Sequence, residues 1–139
     1  KWNSAGCIFL DSRVDSDLSD RHSIIYGHHM KDGTMFSGLT KYKKQEYYEA
    51  HSEGLLITPE RTYTIEFFAG YVASVEDPAW KIGFESEEDF DTWIKEAQKK
   101  SWFTSSLSPA VTDRILTLST CSYEFDNARF VLLAIIVEM

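Results

Sequence analysis

The stretch "LTLSTCSYEFDNARFVLLAIIV", Leu116 to Val137, reads as strand, loop, strand and limits the chain more than any other segment. Its second half, Phe130 to Val137, is the longest apolar run in the sequence. A run of eight residues is too short to cross a bilayer, which takes about 20 residues as a helix. It is therefore expected inside a packed domain. The first half ends in Cys121, and Arg129 opens the second. A cysteine at a strand-to-loop junction, with an arginine at the start of the next strand, needs an explanation.

The rest of the chain is mostly strand-like. Gly6–Asp11 and His22–Gly27 are short apolar runs bounded by turn-forming residues, with an acidic loop between them and a turn at Asp32-Gly33. A short helix is expected within Lys41–His51, marked by Tyr42, Tyr47 and Tyr48. Leu55–Glu60 reads as a strand stopped by Pro59. From Arg61 to Val75, Tyr63, Ile65 and Phe67 alternate with Thr62, Thr64 and Glu66, a half-buried strand bent or interrupted near Gly70. The clearest helix runs over about 86–100. Ser86 is its N-cap, Glu87, Glu88 and Asp89 load its first turn, and lysines fill its last. Phe90, Trp93, Ile94 and Ala97 make one apolar stripe. A Ser-rich loop, Ser101–Pro109, precedes the closing strands. Six or seven strands against two helices, without a βαβ rhythm, predict a mainly β fold: a mostly antiparallel barrel or sandwich with helical insertions.

At 139 residues, with 43% hydrophobic and 14% aromatic content, the chain is read as one packed domain, 1–139. Fourteen basic against 22 acidic residues give a formal charge of -8, which disfavours nucleic acid as a partner. Two cysteines, Cys7 and Cys121, allow at most one disulfide. Exported domains stapled by disulfides usually carry more, so both are read as free thiols, with Cys7 a core thiol inside an apolar strand. The opening residues show no signal-peptide pattern, and any anchor or export signal is expected upstream.

Nucleophilic chemistry has few candidate carriers. Cys121 can attack a carbonyl as thiolate, and His22, His28, His29 and His51 are candidate bases able to take its proton and return it to a leaving amine. Arg129 can hold a developing oxyanion with a planar fork of donors. On spacing alone, however, Cys121 also fits a buried structural thiol, Arg129 a salt-bridged arginine, and His28 and His29 ordinary loop histidines.

Three motifs in order carry a resemblance. "TLSTC" (Thr117–Cys121) followed by Arg129 resembles the signature of sortases, cysteine transpeptidases of the Gram-positive cell surface. "IIYGHHMKDGTMF" (Ile24–Phe36) resembles the histidine segment of class B sortases, and "NSAGCIFLD" (Asn3–Asp11) that class's early strand. The helix at 86–100 matches the one class B members carry before the cysteine strand. The similarity covers essentially the whole chain. It implies a sortase-type closed β-barrel with helical insertions, whose N-terminal helical segment and first strand or strands are not in this chain. It also implies Cys121 as nucleophile, His28 as acid and base, and Arg129 as the substrate-positioning or oxyanion cation. Ser119 and Thr120 would lie near the bound peptide. His29 stands where class B members often have asparagine, and Ser122 where some relatives carry an acidic residue.

The implied reaction is cleavage after threonine in a C-terminal sorting signal, of NPxTx or xPxTG type, through a thioester. The amine of a peptidoglycan stem peptide then attaches the protein to the wall. The implied partners are the sorting-signal peptide and that amine, with no cofactor, no metal and no nucleic acid. The implied place is the outer face of the bacterial membrane, reached through an anchor outside this chain. A pilus-type sortase and a plain cysteine peptidase keep the same nucleophile. A metal- or peptide-binding β-barrel module is the non-enzyme alternative, although the clustered ligands of zinc sites are missing from the sequence.

Overall fold

The computed structural model describes residues 8–10, 21–27, 42, 44–57, 61–74, 76–77, 79, 81, 83–110, 112–120 and 128–138. Among these the elements are, in chain order, β1 (Ile8–Leu10), β2 (His22–Gly27), α1 (Gln45–Ala50), β3 (Glu53–Ile57), β4 (Thr62–Ser74), α2 (Glu87–Lys100), β5 (Arg114–Thr120) and β6 (Ala128–Glu138). The fold is mainly β, as the patterning predicts. The expected acidic loop and the Asp32-Gly33 turn lie outside the described residues, as does Cys7.

The apolar run after Cys121 is apolar because both of its faces are covered. β6 pairs antiparallel with β4 along one edge and with β5 along the other. Phe130, Leu132, Ala134 and Ile136 point into one apolar cluster, and Val131, Leu133 and Ile135 into a second on the opposite face. A strand with one polar face would alternate; one sandwiched between two layers need not.

The strands form one six-stranded sheet in the order β1-β2-β5-β6-β4-β3. Every pairing is antiparallel except β2 with β5, which run parallel and are joined through most of the chain between them. β1 and β3 are the ends of that order, and the expected closure into a barrel is not among the described pairings.

Each face has its own cover. On the first, Tyr48 of α1 stacks on Phe103, with ring centroids 4.0 Å apart, and donates to the carbonyl of Phe67 at 3.0 Å. Burial beside Tyr47 and Tyr48 pushes the neighbouring Tyr42 phenol up to about 12. On the second face lies α2, whose buried residues are the predicted stripe, Phe90, Trp93, Ile94 and Ala97. Ser86 caps it, accepting from the Asp89 amide at 3.1 Å. Asp89 in turn accepts from the Glu85 amide and from Lys81 Nζ, at 3.2 and 2.9 Å. The Lys81 bond, followed by the Glu85 amide, holds the Asp89 carboxyl below its ordinary range.

β4 keeps its course through Gly70, and the expected irregularity lies two residues earlier. A register shift against β6 between Phe67 and Ala69 inserts one extra residue. Tyr63, Ile65 and Phe67 face the first cluster, while Ala69, Tyr71 and Ala73 face the second. Gly70 therefore sits on the first face, where a Cβ would meet Phe103 Cε2 at 2.9 Å and Leu132 Cδ1 at 3.0 Å. Beyond the end of β3, the free edge of β4 is taken by the Ser-rich loop: Trp102 N–H donates to the Gly70 carbonyl at 2.7 Å, and Gly70 N–H to Ser101 Oγ at 3.0 Å.

Two outcomes follow from this packing. Gly70→Ala drives a methyl into Phe103 and Leu132 and is expected to lower unfolding stability by about 1–3 kcal/mol, the usual penalty of overpacking, measured by urea denaturation. An unchanged midpoint would mean that Phe103 moves away freely. Asp89→Asn is expected to lower the melting temperature at neutral pH. A carboxyl with a depressed folded pKa stabilises above its unfolded value, near 3.9, and loses that effect as pH falls through the folded one. The gap between wild type and variant should therefore narrow as pH falls below the unfolded value and through the lowered folded one, and a gap that persists once the carboxyl is protonated would assign the loss to shape rather than charge.

Candidate active site

The parallel pair sets the geometry. β2 and β5 run side by side from His22↔Ile115 to Gly27↔Thr120. His28 and Cys121 are the next residues in sequence after that last pair. On the other side of β5, Ser119 lies opposite Val131 of β6. Cys121 follows Ser119 by two residues, and Arg129 precedes Val131 by two. Cys121, His28 and His29 themselves lie outside the described residues, as does the side chain of Thr120. The strand ends that lead to the two expected catalytic positions are thus paired neighbours.

Arg129 stands on β6 opposite Ala73 of β4. It is half-buried, with its Nε buried. By strand alternation it shares a face with Val131 and Leu133, the face that α2 covers. Ile115 of β5 lies in the same cluster, so Thr117 and Ser119 follow it up that face. Both are fully buried. Ser119 is the residue expected near the bound peptide.

Two of the four candidate bases have other tasks. His51, just after α1, stacks on Tyr47 with ring centroids 4.1 Å apart, and its Nδ1 donates to the Tyr47 carbonyl at 3.0 Å. It lies beside Ser52, whose carbonyl accepts from the Phe67 amide, on the far side of the bulge from Ala73 and Arg129. His22 is fully buried. Its Nδ1 lies 2.5 Å from the carbonyl of Lys81 and its Nε2 2.7 Å from Thr117 Oγ1. A carbonyl only accepts, so Nδ1 carries a proton, and in the neutral ring Nε2 accepts from the threonine. The Trp93 ring closes over it at 4.5 Å. The sequence names His22 only as one of four candidate bases. Its one distinguishing signal is its place as the single ionisable residue opening the apolar run of β2.

Two paired strand ends thus lead to Cys121 and His28 in sequence, and a third strand adds the Arg129 guanidinium on the face that α2 shields.

No family model matches the chain. Sortase B of Staphylococcus aureus is 34% identical over 136 residues, covering 96% of this chain and 56% of that protein. Sortase B of Listeria monocytogenes is 36% identical over 122 residues, covering 88% and 50%. The chain thus spans about half the length of the curated relatives it matches. Among solved structures, Staphylococcus aureus Sortase B superposes with a TM-score of 0.88 at 33% identity, over 95% of this chain and 64% of that one. Clostridium perfringens Sortase B does so with a TM-score of 0.84 at 32% identity, over 98% of this chain and 75% of that one. On this identity over nearly the whole sequence, together with the shared fold, the chain belongs to the class B sortases.

Proposed function

We propose that this protein is a cysteine transpeptidase that cuts an exported protein's C-terminal sorting signal after threonine and joins the new end to a peptidoglycan amine. The observation that carries the reading is the Gly27↔Thr120 pair, which sets the residues before His28 and Cys121 side by side, with Arg129 on the next strand. Two related structures bear on the substrates. One is a Sortase B complexed with triglycine and another a Staphylococcus aureus sortase B–substrate complex. Their names support an amine acceptor and a peptide donor here.

In this reading His28 takes the Cys121 proton as Sγ attacks the threonine carbonyl. The Arg129 guanidinium donates to the oxyanion. The tetrahedral intermediate collapses to a thioester, and the leaving amine departs with the proton held by His28. The acceptor amine then attacks the thioester and gives up its proton to His28. The new amide is released, and Cys121 regains a proton as thiol. Signals of NPxTx or xPxTG type are the proposed donors. The proposed site of action is the outer face of the bacterial membrane.

The direct test is cleavage of a fluorogenic pentapeptide panel with and without an amine acceptor, with products identified by mass spectrometry. Cys121→Ala is expected to abolish cleavage while Cys7→Ala stays within a few-fold of wild type; a dead Cys7 variant with an active Cys121 variant would overturn the assignment. Arg129→Lys is expected to be nearly as damaging as Arg129→Ala, approaching the roughly 10²–10³-fold loss of one oxyanion donor. Lysine keeps the charge but not the two-pronged fork. A lysine variant with near-wild-type kcat/KM would reduce Arg129 to a background charge.

A further inference from the structure

Among the described residues, the mechanism leaves the fully buried imidazole of His22 without a task. His22 touches the segment that leads into α2 through the Lys81 carbonyl, α2 itself through Trp93, and β5 through Thr117. Its backbone partner on β5 is Ile115, so its bond to Thr117 runs diagonally, one pleat further toward the strand end. Backbone hydrogen bonds alone hold a parallel pair in register but leave its twist and splay to the side chains that cross it. A diagonal bond on the covered face constrains both.

We infer that His22 is a positioning residue for the transfer reaction, an inference that rests on the proposed roles of Cys121 and His28. Through Thr117, four residues before Cys121, it holds β5 against β2, which ends in Gly27 just before His28. Through Lys81 and Trp93 it seats α2 on that same pair. The described contacts of His22 are structural ones, to Lys81, Trp93 and Thr117. His22 sets the stagger between the strand that leads to the nucleophile and the strand that leads to the base, and so the distance over which the proton passes. Misplacement of about 1 Å from outside the chemistry can lower a rate by about 10²-fold, which is large enough to measure.

Thr117→Val tests this, because valine keeps the shape of threonine and removes the hydroxyl that meets Nε2. At a temperature where circular dichroism shows the variant folded, kcat for peptide cleavage is expected to fall about 10- to 100-fold with KM nearly unchanged, the pattern of an interaction felt in the transition state. Thr117→Ser, which restores the hydroxyl, is expected to return kcat to within about twofold of wild type. His22→Asn, whose amide can reach the Lys81 carbonyl but not Thr117, should behave like Thr117→Val. A second readout needs no peptide: the pH profile of Cys121 alkylation by iodoacetamide, followed by site-resolved mass spectrometry, should move in both variants. A lower melting temperature with wild-type kcat and an unmoved alkylation profile would make His22 a core residue only and overturn the inference. Failure of the underlying reading shows elsewhere, as cleavage that survives Cys121→Ala.

Discussion

The structure depends on burying β6 on both faces at once. Seven consecutive residues, Phe130 to Ile136, are buried, alternately into two apolar clusters. Neither cluster can form without the other side's cover, because removing either layer would expose every second residue of the strand. α2 and the α1–Phe103 aromatic group are therefore coupled through a single strand although they lie on opposite faces. Each buried apolar side chain contributes about 1.5–3 kcal/mol relative to exposure. That makes β6 the fixed reference against which β5 and β4 register, and Arg129 is placed by belonging to it.

The bulge in β4 answers a problem that this two-sided burial creates. Over Thr62–Glu66 β4 is flanked by β3, and further on it must accept the chain that returns from α2. The extra residue between Phe67 and Ala69 switches which side chains face which cluster. It leaves the Cβ-free Gly70 where Phe103 crosses at closest approach. The loop after α2 then satisfies the exposed edge with Trp102 and Ser101, a way of capping an edge strand without adding another strand. The Lys100–Asp77 ion pair at 2.9 Å, with Asp77 also accepting from Tyr71, ties the end of α2 to the start of its own connection. Burial and the Asp77 carboxylate together hold the Tyr71 phenol well above its usual range.

An apolar face that carries His22, Thr117 and Ser119, all fully buried, departs from the pattern of the rest of the core. A buried polar group left without a partner costs about 1–3 kcal/mol, so such groups persist where they are satisfied. Both nitrogens of His22 are satisfied, by groups from two different parts of the chain. These polar side chains lie on the face that also carries Arg129: Thr117 and Ser119 along the strand that leads to Cys121, and His22 on its parallel neighbour. Polar groups there replace contacts that leucine or isoleucine could have made and give directional bonds in exchange. Dispersion packing tolerates small slips between strands; a hydrogen bond of 2.7 Å does not.

Much of this architecture was legible in the sequence, and the reason is locality. The α2 stripe, its Ser86 cap and its charge gradient are properties of 15 neighbouring residues, and they appear in the structure as read. The alternation of Tyr63, Ile65 and Phe67 likewise fixed the inward face of β4. The first helix is shorter than its tyrosine marks suggested, because Tyr42 packs from outside it. The motifs "TLSTC" and "YGHH" named candidate residues, and the identity to known sortases places the chain in their class. The parallel pairing of β2 with β5 was not legible, nor was the face switch at Phe68, nor the bond between His22 and Thr117, 95 residues apart in sequence. Periodicity and capping act within one element and leave their mark on consecutive residues. Which strand lies beside which, and which polar groups meet when they do, is decided only when distant segments compete to bury the same surface. Sequence alone therefore determined the elements and the candidate residues, and the tertiary structure decided their adjacency, because pairing energy belongs to two segments jointly and is written in neither.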